Sequence, residues 1–398
     1  MSNPYRDVPD HQLWRRAVSR VEPHRIDPVV APSFRITPQM KLATAGSCFA
    51  QHISRRISEL GFRYFVPEDG ADLPEPERAA RQFGVFSARF GNLYTVQQLG
   101  QIFDEAVEGR ALAEPAWQRP DGRYVDPYRP QVEPTGYDSP EAVAAARRDH
   151  LAAVREMFLG ADVFVFTLGL TEAWRVRGDG SVLPLAPGVV AGSFDPARHE
   201  FHNFSVAETS AALSDVLTRL RAVNPGVRVL LTVSPVPLIA TYEPRHVLTS
   251  TCYSKAVLRV AAQEACERFE FVDYFPSFEI ITASATGGLY YEADRREVNR
   301  LGVAHAMRCF VAAYTEGGAT EVHSGPEGLP MPTEAERRAD ASAAAIICDE
   351  EAIAEGIEME IDTGQTRESR GFPAPPRQRG EGRLAALRAL FGRGASRR

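Results

Sequence analysis

The stretch Gly46-Ser47-Cys48-Phe49-Ala50 joins a short apolar segment, residues 40–45, to a segment with helical periodicity, residues 51–60. Small residues fill the turn, and a hydroxyl and a thiol stand where the helix begins. Unpaired N–H groups at a helix N-terminus stabilise negative charge nearby, as a nucleophilic serine requires. The pattern therefore predicts a strand, a tight turn carrying a nucleophile, and a helix. A helix-capping serine followed by a small buried cysteine produces the same pattern and is the alternative.

Beyond this turn, apolar runs typical of buried strands alternate with helical segments. The predicted strands cover residues 162–168, 227–233 and 271–274, and the predicted helices cover residues 96–108, 140–159, 205–223, 254–269 and 301–314. Short apolar strands separated by helices favour a parallel sheet covered on both faces. Reacting groups gather at the carboxyl ends of such strands. Ser47, Gly169 and Ser234 occupy three of these ends, so we expect them to meet.

The chain is divided into an arm, one domain and a tail. Residues 1–39 are rich in Pro, Arg and His and are interpreted as an arm over the domain, which spans residues 40–315. Two turn-rich insertions interrupt the domain at residues 109–138 and 174–203, the second with a hairpin near Gly178.

The tail, residues 316–398, is rich in Glu, Ala and Pro, and is expected to be mostly disordered. Residues 383–391 form a basic amphipathic pattern that predicts a short helix contacting a protein or an anionic membrane surface. A solvated tail without any partner is the alternative.

Composition excludes several classes of protein. The 398 residues are 44% hydrophobic and 24% charged, as in globular proteins, and the net charge of −7 argues against nucleic acid as a partner. The five cysteines are scattered without C-x-x-C spacing, so we expect a reducing compartment, no metal site and no cofactor. No transmembrane run and no signal peptide are recognised, and a cytoplasmic location is expected.

Several further blocks accompany the G-S-C-F-A turn in a fixed order. They are F-G-N-L-Y-T at 90–95, Y-V-D-P-Y-R-P at 124–130, F-T-L-G-L-T-E-A-W at 166–174, S-P-V-P-L at 234–238, Y-S-K at 253–255 and D-Y-F-P-S-F-E at 273–279. With them, the chain resembles the GSCFA-domain family, an offshoot of the SGNH (GDSL-like) hydrolases, over roughly residues 20–312. The resemblance implies a three-layer α/β/α sandwich with a parallel sheet.

The resemblance also implies roles for individual residues. Ser47 takes the place of the SGNH nucleophile, with its own N–H and either Gly91 or Asn92 as oxyanion donors. The G-L-T-E segment, Gly169 to Glu172, stands where related hydrolases carry G-x-N-D. Thr171 therefore falls at the position of an oxyanion-hole asparagine, and its hydroxyl is a shorter donor than an amide. Glu172 is expected to shape the pocket.

The catalytic base is the departure from the family pattern. SGNH enzymes carry D-x-x-H before the final helix, whereas the matching stretch here begins at Asp294 and places Glu297 at the histidine position. A solvated carboxylate is a weak base, and burial would have to raise its pKa. The histidines considered as substitutes are His52, His202, His246 and His305.

Two functions follow as expectations. The first is a hydrolase or acyltransferase that acts on an ester, for example an acylated carbohydrate or glycolipid, with Ser47 as the nucleophile, Asp294 orienting the base and Glu297 as that base. The second is a binding or scaffold protein that keeps the fold and has lost the chemistry, since the histidine is replaced.

Overall fold

The computed structural model describes residues 3–316 and 348–354, and these described residues belong to one compact unit. The predicted helix at residues 383–391 lies outside the described residues. Residues 348–354, assigned to the tail from the sequence, are part of this unit. In the described part of the chain, no helix has both the length and the apolar character needed to cross a membrane.

The described strands and helices follow the predicted alternation. The strands are β1 (Leu42–Gly46), β2 (Trp117–Gln118), β3 (Tyr124–Val125), β4 (Val163–Leu168), β5 (Glu172–Val176), β6 (Val182–Leu183), β7 (His199–Asn203), β8 (Arg228–Val233) and β9 (Val272–Tyr274). The α-helices are α1 (Trp14–Ala17), α2 (Ala50–Glu59), α3 (Glu75–Ala80), α4 (Val96–Phe103), α5 (Pro140–Gly160), α6 (Val206–Val223), α7 (Val247–Arg268), α8 (Ser277–Thr282) and α9 (Arg300–Tyr314). Short 3-10 helices cover Asp10–Gln12, Pro23–Arg25 and Ser284–Thr286, and a π-helical turn, Asp104–Glu108, extends α4.

Helix α7 is longer than its sequence pattern indicated. It begins at Val247 instead of residue 254, because His246 caps it: the ring Nδ1 accepts a hydrogen bond from the N–H of Leu248 at 3.1 Å. The first turns, L-T-S-T, are polar and exposed in part, and they lack the apolar spacing from which a helix is inferred.

The central sheet has the strand order β1-β4-β8-β9, with every neighbouring pair parallel. Side chains alternate between its two faces. Phe164 and Phe166 pack in one core with α4, α5, α6 and α7, whereas Val163 and Val165 pack in a second core with α2, α8 and α9. The predicted three-layer α/β/α architecture with a parallel sheet is therefore confirmed.

The two insertions form small antiparallel sheets. Strands β2 and β3 pair within the first, and β5 pairs with both β6 and β7 in the second. The predicted hairpin near Gly178 is the β5–β6 turn. Trp117 and Val125 of the first insertion share an apolar cluster with Val176 and Leu183 of the second, so the insertions support each other.

A buried ion cluster attaches the Y-V-D-P-Y-R-P block to α5. Asp126 accepts hydrogen bonds from Arg129 Nε at 2.9 Å and from Arg147 Nη1 at 2.8 Å, and its side chain is 1% exposed. Burial alone would favour the neutral acid, but Arg147 and Arg129 outweigh burial and lower the pKa of Asp126 far below its usual value. The carboxylate is therefore charged at any pH near neutrality.

We expect Asp126→Asn to destabilise the protein by about 3 kcal/mol at pH 7, because two buried guanidinium groups each lose one of their counter-charges and keep only Glu68 or Glu105. A carboxylate whose pKa is depressed in the folded state stabilises it above the unfolded-state pKa, about 4 for Asp, and loses that contribution as pH falls further. The difference between variant and wild type should thus be smaller at pH 3 than at pH 7 in urea unfolding. Asp138→Asn, at a carboxylate 85% exposed, is the control and should cost under about 1 kcal/mol. Equal losses for the two variants would show that the buried cluster does not stabilise the fold.

Candidate active site

Ser47 follows the carboxyl end of β1, and its side chain lines a cavity of about 10 Å³. Gly169, at the end of β4, and Ser234, at the end of β8, line the same cavity. The prediction that these three strand ends meet is confirmed. A cavity of this volume holds about one water molecule, so no ester fits it as it stands.

The Ser47 hydroxyl faces this cavity without a fixed contact. Ser47 is 2% exposed, and its Oγ has no hydrogen-bond partner in the described residues. Helix α2 has Phe49 as its N-cap residue and no side-chain cap, so the interpretation of Ser47 as a capping serine is wrong. A buried hydroxyl without a partner is uncommon and costly, as expected where a ligand completes the contacts.

The backbone N–H of Ser47 is already engaged. It donates to the carbonyl oxygen of Thr167 at 3.0 Å and continues the pairing of β1 with β4. Its role as an oxyanion donor stays a prediction, and it requires this contact to open.

Lys255 lines the same cavity as Ser47 and Cys48 of the turn. It projects from α7 into the cavity that Ser47 lines, is 3% exposed, and donates from Nζ to the carbonyl oxygen of Gly169 at 2.5 Å. Gly169 lies directly against the nucleophile, since a Cβ added there would be 3.0 Å from the Cβ of Ser47. Burial lowers the pKa of Lys255 to about 8. A lysine with such a pKa is partly neutral near pH 7–8 and is able to accept a proton.

The F-G-N-L-Y-T block forms the wall beside Ser47. The N–H of Leu93 donates to the carbonyl oxygen of Gly46 at 2.9 Å, which places Asn92 next to the nucleophile turn. A capping box between Thr95 and Gln98 begins α4 immediately after this loop and fixes its end. The predicted donor Asn92 is 1% exposed, and its N–H and its side-chain amide point to a common acceptor.

That acceptor belongs to residues 348–351, which we call the C-D-E-E segment. The Asp349 Oδ2 atom lies 3.0 Å from both Asn92 N and Asn92 Nδ2. Gly91 has φ of +67°, and a Cβ there would approach the same oxygen to 3.3 Å, so glycine allows the carboxylate to come close. The N–H of Glu350 donates to Tyr94 Oη at 3.3 Å, and the side chain of Glu350 lines the cavity.

Arg296 holds the segment from the opposite side. Its Nη2 donates to Glu350 Oε2 at 3.0 Å, its Nη1 contacts Glu351, and its Nε donates to the carbonyl oxygen of Pro237 at 3.2 Å. Arg296 is 8% exposed. Burial lowers the pKa of Lys255 and raises that of Glu350, because each charged form loses water when it enters this site.

The predicted pair Asp294 and Glu297 lies elsewhere. Both residues are exposed, and neither lines the cavity. The carboxylate of Asp294 accepts from the N–H groups of Arg296 and Glu297, at 3.0 and 3.2 Å, and so shapes the loop that presents Arg296. The catalytic assignment of the pair stays a prediction that this geometry does not support.

None of the four histidines considered as substitutes lines the cavity. His52 packs on Phe49 in α2, and burial lowers its pKa to about 3. His202 contacts Glu208, His246 caps α7, and His305 contacts Tyr290 Oη and the carbonyl oxygen of Ile26.

Thr171 and Glu172 make their hydrogen bonds away from the cavity that Ser47 lines. The Thr171 hydroxyl donates to Asn203 Oδ1 at 2.7 Å, and its N–H donates to Ser254 Oγ at 2.9 Å. Glu172 accepts from Thr241 Oγ1 at 2.7 Å. Neither side chain lines the cavity. Both connect the second insertion to α7 and the loop before it, and their predicted contribution to substrate binding stays a prediction.

Two cysteines meet at the same place. Hydrogen bonding to Cys48 lowers the pKa of Cys348 to about 6, and the charge of Arg296 adds to this effect, whereas burial opposes it. The pKa of Cys48 is raised well above its usual value by the same contact and by burial. All five cysteines of the chain are free.

Sequence reasoning did not place Lys255 beside Ser47 and did not recognise the C-D-E-E segment, although both left signals. Lys255 is one of only two lysines among the 45 Lys and Arg residues, and arginine cannot lose its proton in proteins. The C-D-E-E segment follows Ile346-Ile347, an apolar pair that is unusual in a polar tail.

The chain was compared with known proteins. No curated protein matches it at a significant level. The model of the GSCFA family matches residues 41–310, which include Ser47, Asn92, Lys255 and Arg296. The chain therefore belongs to the GSCFA family.

Proposed function

We propose that the protein is a serine-dependent hydrolase or acyltransferase of the SGNH type, acting on an ester with Ser47 as the nucleophile. The observation that carries this proposal is the buried Ser47 hydroxyl, which faces a cavity shared with a lysine and has no hydrogen-bond partner in the described residues. An acylated carbohydrate or glycolipid is the substrate we propose from the resemblance to the SGNH hydrolases.

Lys255 is the base in this mechanism. Neutral Lys255 takes the Ser47 proton as Oγ attacks the acyl carbon, and the Asn92 N–H and amide hold the negative oxygen of the tetrahedral intermediate. The intermediate collapses to acyl-Ser47, and the leaving alcohol takes the proton back from Lys255. Water or an acceptor alcohol then attacks acyl-Ser47 and gives its proton to Lys255. The bond from the acyl carbon to Ser47 Oγ breaks, and Lys255 returns the proton to Oγ as the acyl product leaves.

A fluorophosphonate probe tests the nucleophile. We expect the full-length chain to be labelled at Ser47, and labelling to be faster in Glu350→Gln, since Glu350 lines the cavity. Ser47→Ala should remove the label, whereas Cys48→Ser, with a hydroxyl in place of the neighbouring thiol, should retain it. Absence of labelling at Ser47 in both wild type and Glu350→Gln would contradict the proposal.

The second candidate is a binding or scaffold protein that has lost hydrolysis. The observation that favours it is the exposed position of Asp294 and Glu297, since the pair expected from the resemblance does not assemble beside Ser47. Partner contact through the tail belongs to this candidate. Unlabelled Ser47 together with partners that are lost on deletion of residues 380–398 would support it.

We also propose a cytoplasmic location. Cys48 and Cys348 are close enough to be hydrogen-bonded and yet not joined, and the other cysteines are free as well. Free neighbouring thiols fit a reducing compartment. Detection of the protein in a cell fractionation experiment tests this directly.

A further inference from the structure

The C-D-E-E segment fills the place that an ester would need. Asp349 is 2% exposed and Glu350 is 8% exposed, although both are charged residues near the end of the chain. Carboxylates are rarely buried unless paired with cations or several donors. Here Glu350 is paired with Arg296 and lines the same cavity as Lys255, and Asp349 accepts two hydrogen bonds from Asn92 through Oδ2. The other Asp349 oxygen, Oδ1, is buried without a partner in the described residues.

The two carboxylates mark two different positions. The Asp349 Oδ2 atom accepts hydrogen bonds from both the N–H and the side-chain amide of Asn92, the two donors that the proposed mechanism assigns to the negative oxygen. The Glu350 oxygens occupy a second position, in contact with the Arg296 guanidinium. Acyl transfer itself does not require this second position, which leaves Arg296 available to a charged substituent of the substrate.

Removal of the segment would leave Arg296 and Lys255 around a cavity without any counter-charge. Buried cations without partners are unfavourable, and an entering anion relieves that cost. Among the described residues lining the cavity, Glu350 is the one carboxylate. The site is therefore built for a carboxylate and holds one supplied by its own chain.

We propose that the C-D-E-E segment is an intramolecular substitute for the substrate, and that the substrate is an ester whose acyl or alcohol part carries a carboxylate bound by Arg296. The inference rests on the proposed function, since it names the substrate class of the same site. A tethered segment competes at an effective concentration in the millimolar range, so substrate must displace it. The segment thus keeps the site closed until a suitable anion is present.

The experiment uses the full-length chain with Asp349→Ala and Glu350→Arg together. The substituted arginine faces Arg296, and like charges at this distance release the segment. Glu264→Arg, a charge reversal at an exposed position of α7, is the matched control. The readout is alkylation of Cys48 by iodoacetamide, followed by mass spectrometry. We expect alkylation to be about tenfold faster or more in the double variant, and unchanged in the control.

The substrate class is tested with two aryl esters, neutral 4-nitrophenyl acetate and anionic 4-nitrophenyl hydrogen succinate. In the double variant we expect kcat/KM to favour the anionic ester about tenfold or more. Arg296→Gln in that background should abolish the preference, and Arg296→Lys should retain part of it. Equal rates for both esters, insensitive to Arg296, would overturn the inference and leave the hydrolase proposal intact.

Binding separates this inference from the proposed function. Succinate should slow the alkylation of Cys48 in the double variant, and Arg296→Gln should remove that protection. Protection without hydrolysis of either ester would contradict the proposed function and support the anion site. Alkylation that is equally slow in wild type and in the double variant would show that the segment does not cover the site, and the inference would fail.

Discussion

Lys255→Met should lower the rate of ester hydrolysis and of Ser47 labelling by about 10²- to 10⁴-fold, the usual range for loss of a general base. Methionine preserves the length and the apolar stem of the side chain, so the packing of α7 against Gly169 is retained. The measurement is best made in the chain carrying Asp349→Ala and Glu350→Arg, in which entry to the site is not limiting.

The pH profile identifies the lysine as a base. Burial, together with the nearby charge of Arg296, lowers the pKa of Lys255 to about 8. The negative charges of Glu350 and Cys48 act in the opposite direction and raise it. In the proposed mechanism the neutral amine is the reactive form, so the wild-type rate should rise with pH and level off above about 8. Loss of the Glu350 carboxylate should move the midpoint to lower pH, because an anion that favours the ammonium form has been removed.

Two controls limit the interpretation. Lys255→Arg keeps a cation near the Gly169 carbonyl but cannot accept a proton, so it should be as inactive as Lys255→Met. Lys41→Met removes the other lysine, which lies over the Phe65 ring, and should leave the rate unchanged. A Lys255→Arg chain that hydrolyses esters at the wild-type rate would exclude Lys255 as the base.

Local patterns in the sequence were sufficient to predict the layers of the fold. The strand at residues 163–168 and the helix at residues 140–160 are governed by neighbouring residues: Ser139 caps α5 through a bond from the Ala142 N–H, and Pro140 begins it. The strand ends that gather at the cavity follow from the parallel order of such strands. Ser47, Gly169 and Ser234 could therefore be placed beside one another from the sequence, whereas the position of Asn92 was expected only from the resemblance to the family.

Contacts between residues far apart in the sequence could not be predicted from local sequence patterns. Asp349 meets Asn92 across 257 positions, and no periodicity in either segment encodes that meeting. The family pattern also drew attention to Asp294 and Glu297, while the buried side chain of that loop is Arg296. A backbone turn decides which side chain of residues 294–297 points inward. The turn is held by hydrogen bonds from the N–H groups of Arg296 and Glu297 to the Asp294 carboxylate.

Gly46→Ala should destabilise the protein by about 3–5 kcal/mol, since overlap in a packed core and backbone strain both contribute. Gly46 has φ of +130°, a conformation that residues with side chains rarely adopt. A Cβ there would lie 2.4 Å from the carbonyl oxygen of Thr167 and 2.6 Å from its nitrogen. Both are backbone atoms of β4, so no side chain can rotate away. Urea unfolding of the full-length chain measures the loss.

Gly61→Ala is the matched control, because Gly61 also has positive φ, +74°, but a Cβ there meets nothing within 4 Å. It should cost only about 1–2 kcal/mol, from backbone strain alone. Equal losses of unfolding free energy in Gly46→Ala and Gly61→Ala would show that the close approach of β1 and β4 does not require glycine at position 46.

Gly46→Ala should also slow the labelling of Ser47. Its carbonyl oxygen accepts the Leu93 N–H at 2.9 Å, and the following N–H, of Ser47, donates to Thr167 at 3.0 Å. Any shift that relieves the overlap moves the nucleophile relative to both Asn92 and Gly169. A misplacement of about 1 Å costs on the order of 10²-fold in rate. Ser47 labelling in Gly46→Ala, measured under conditions where the chain remains folded, should therefore fall well below that in Gly61→Ala. Retained labelling in a folded Gly46→Ala chain would show that the turn tolerates the shift.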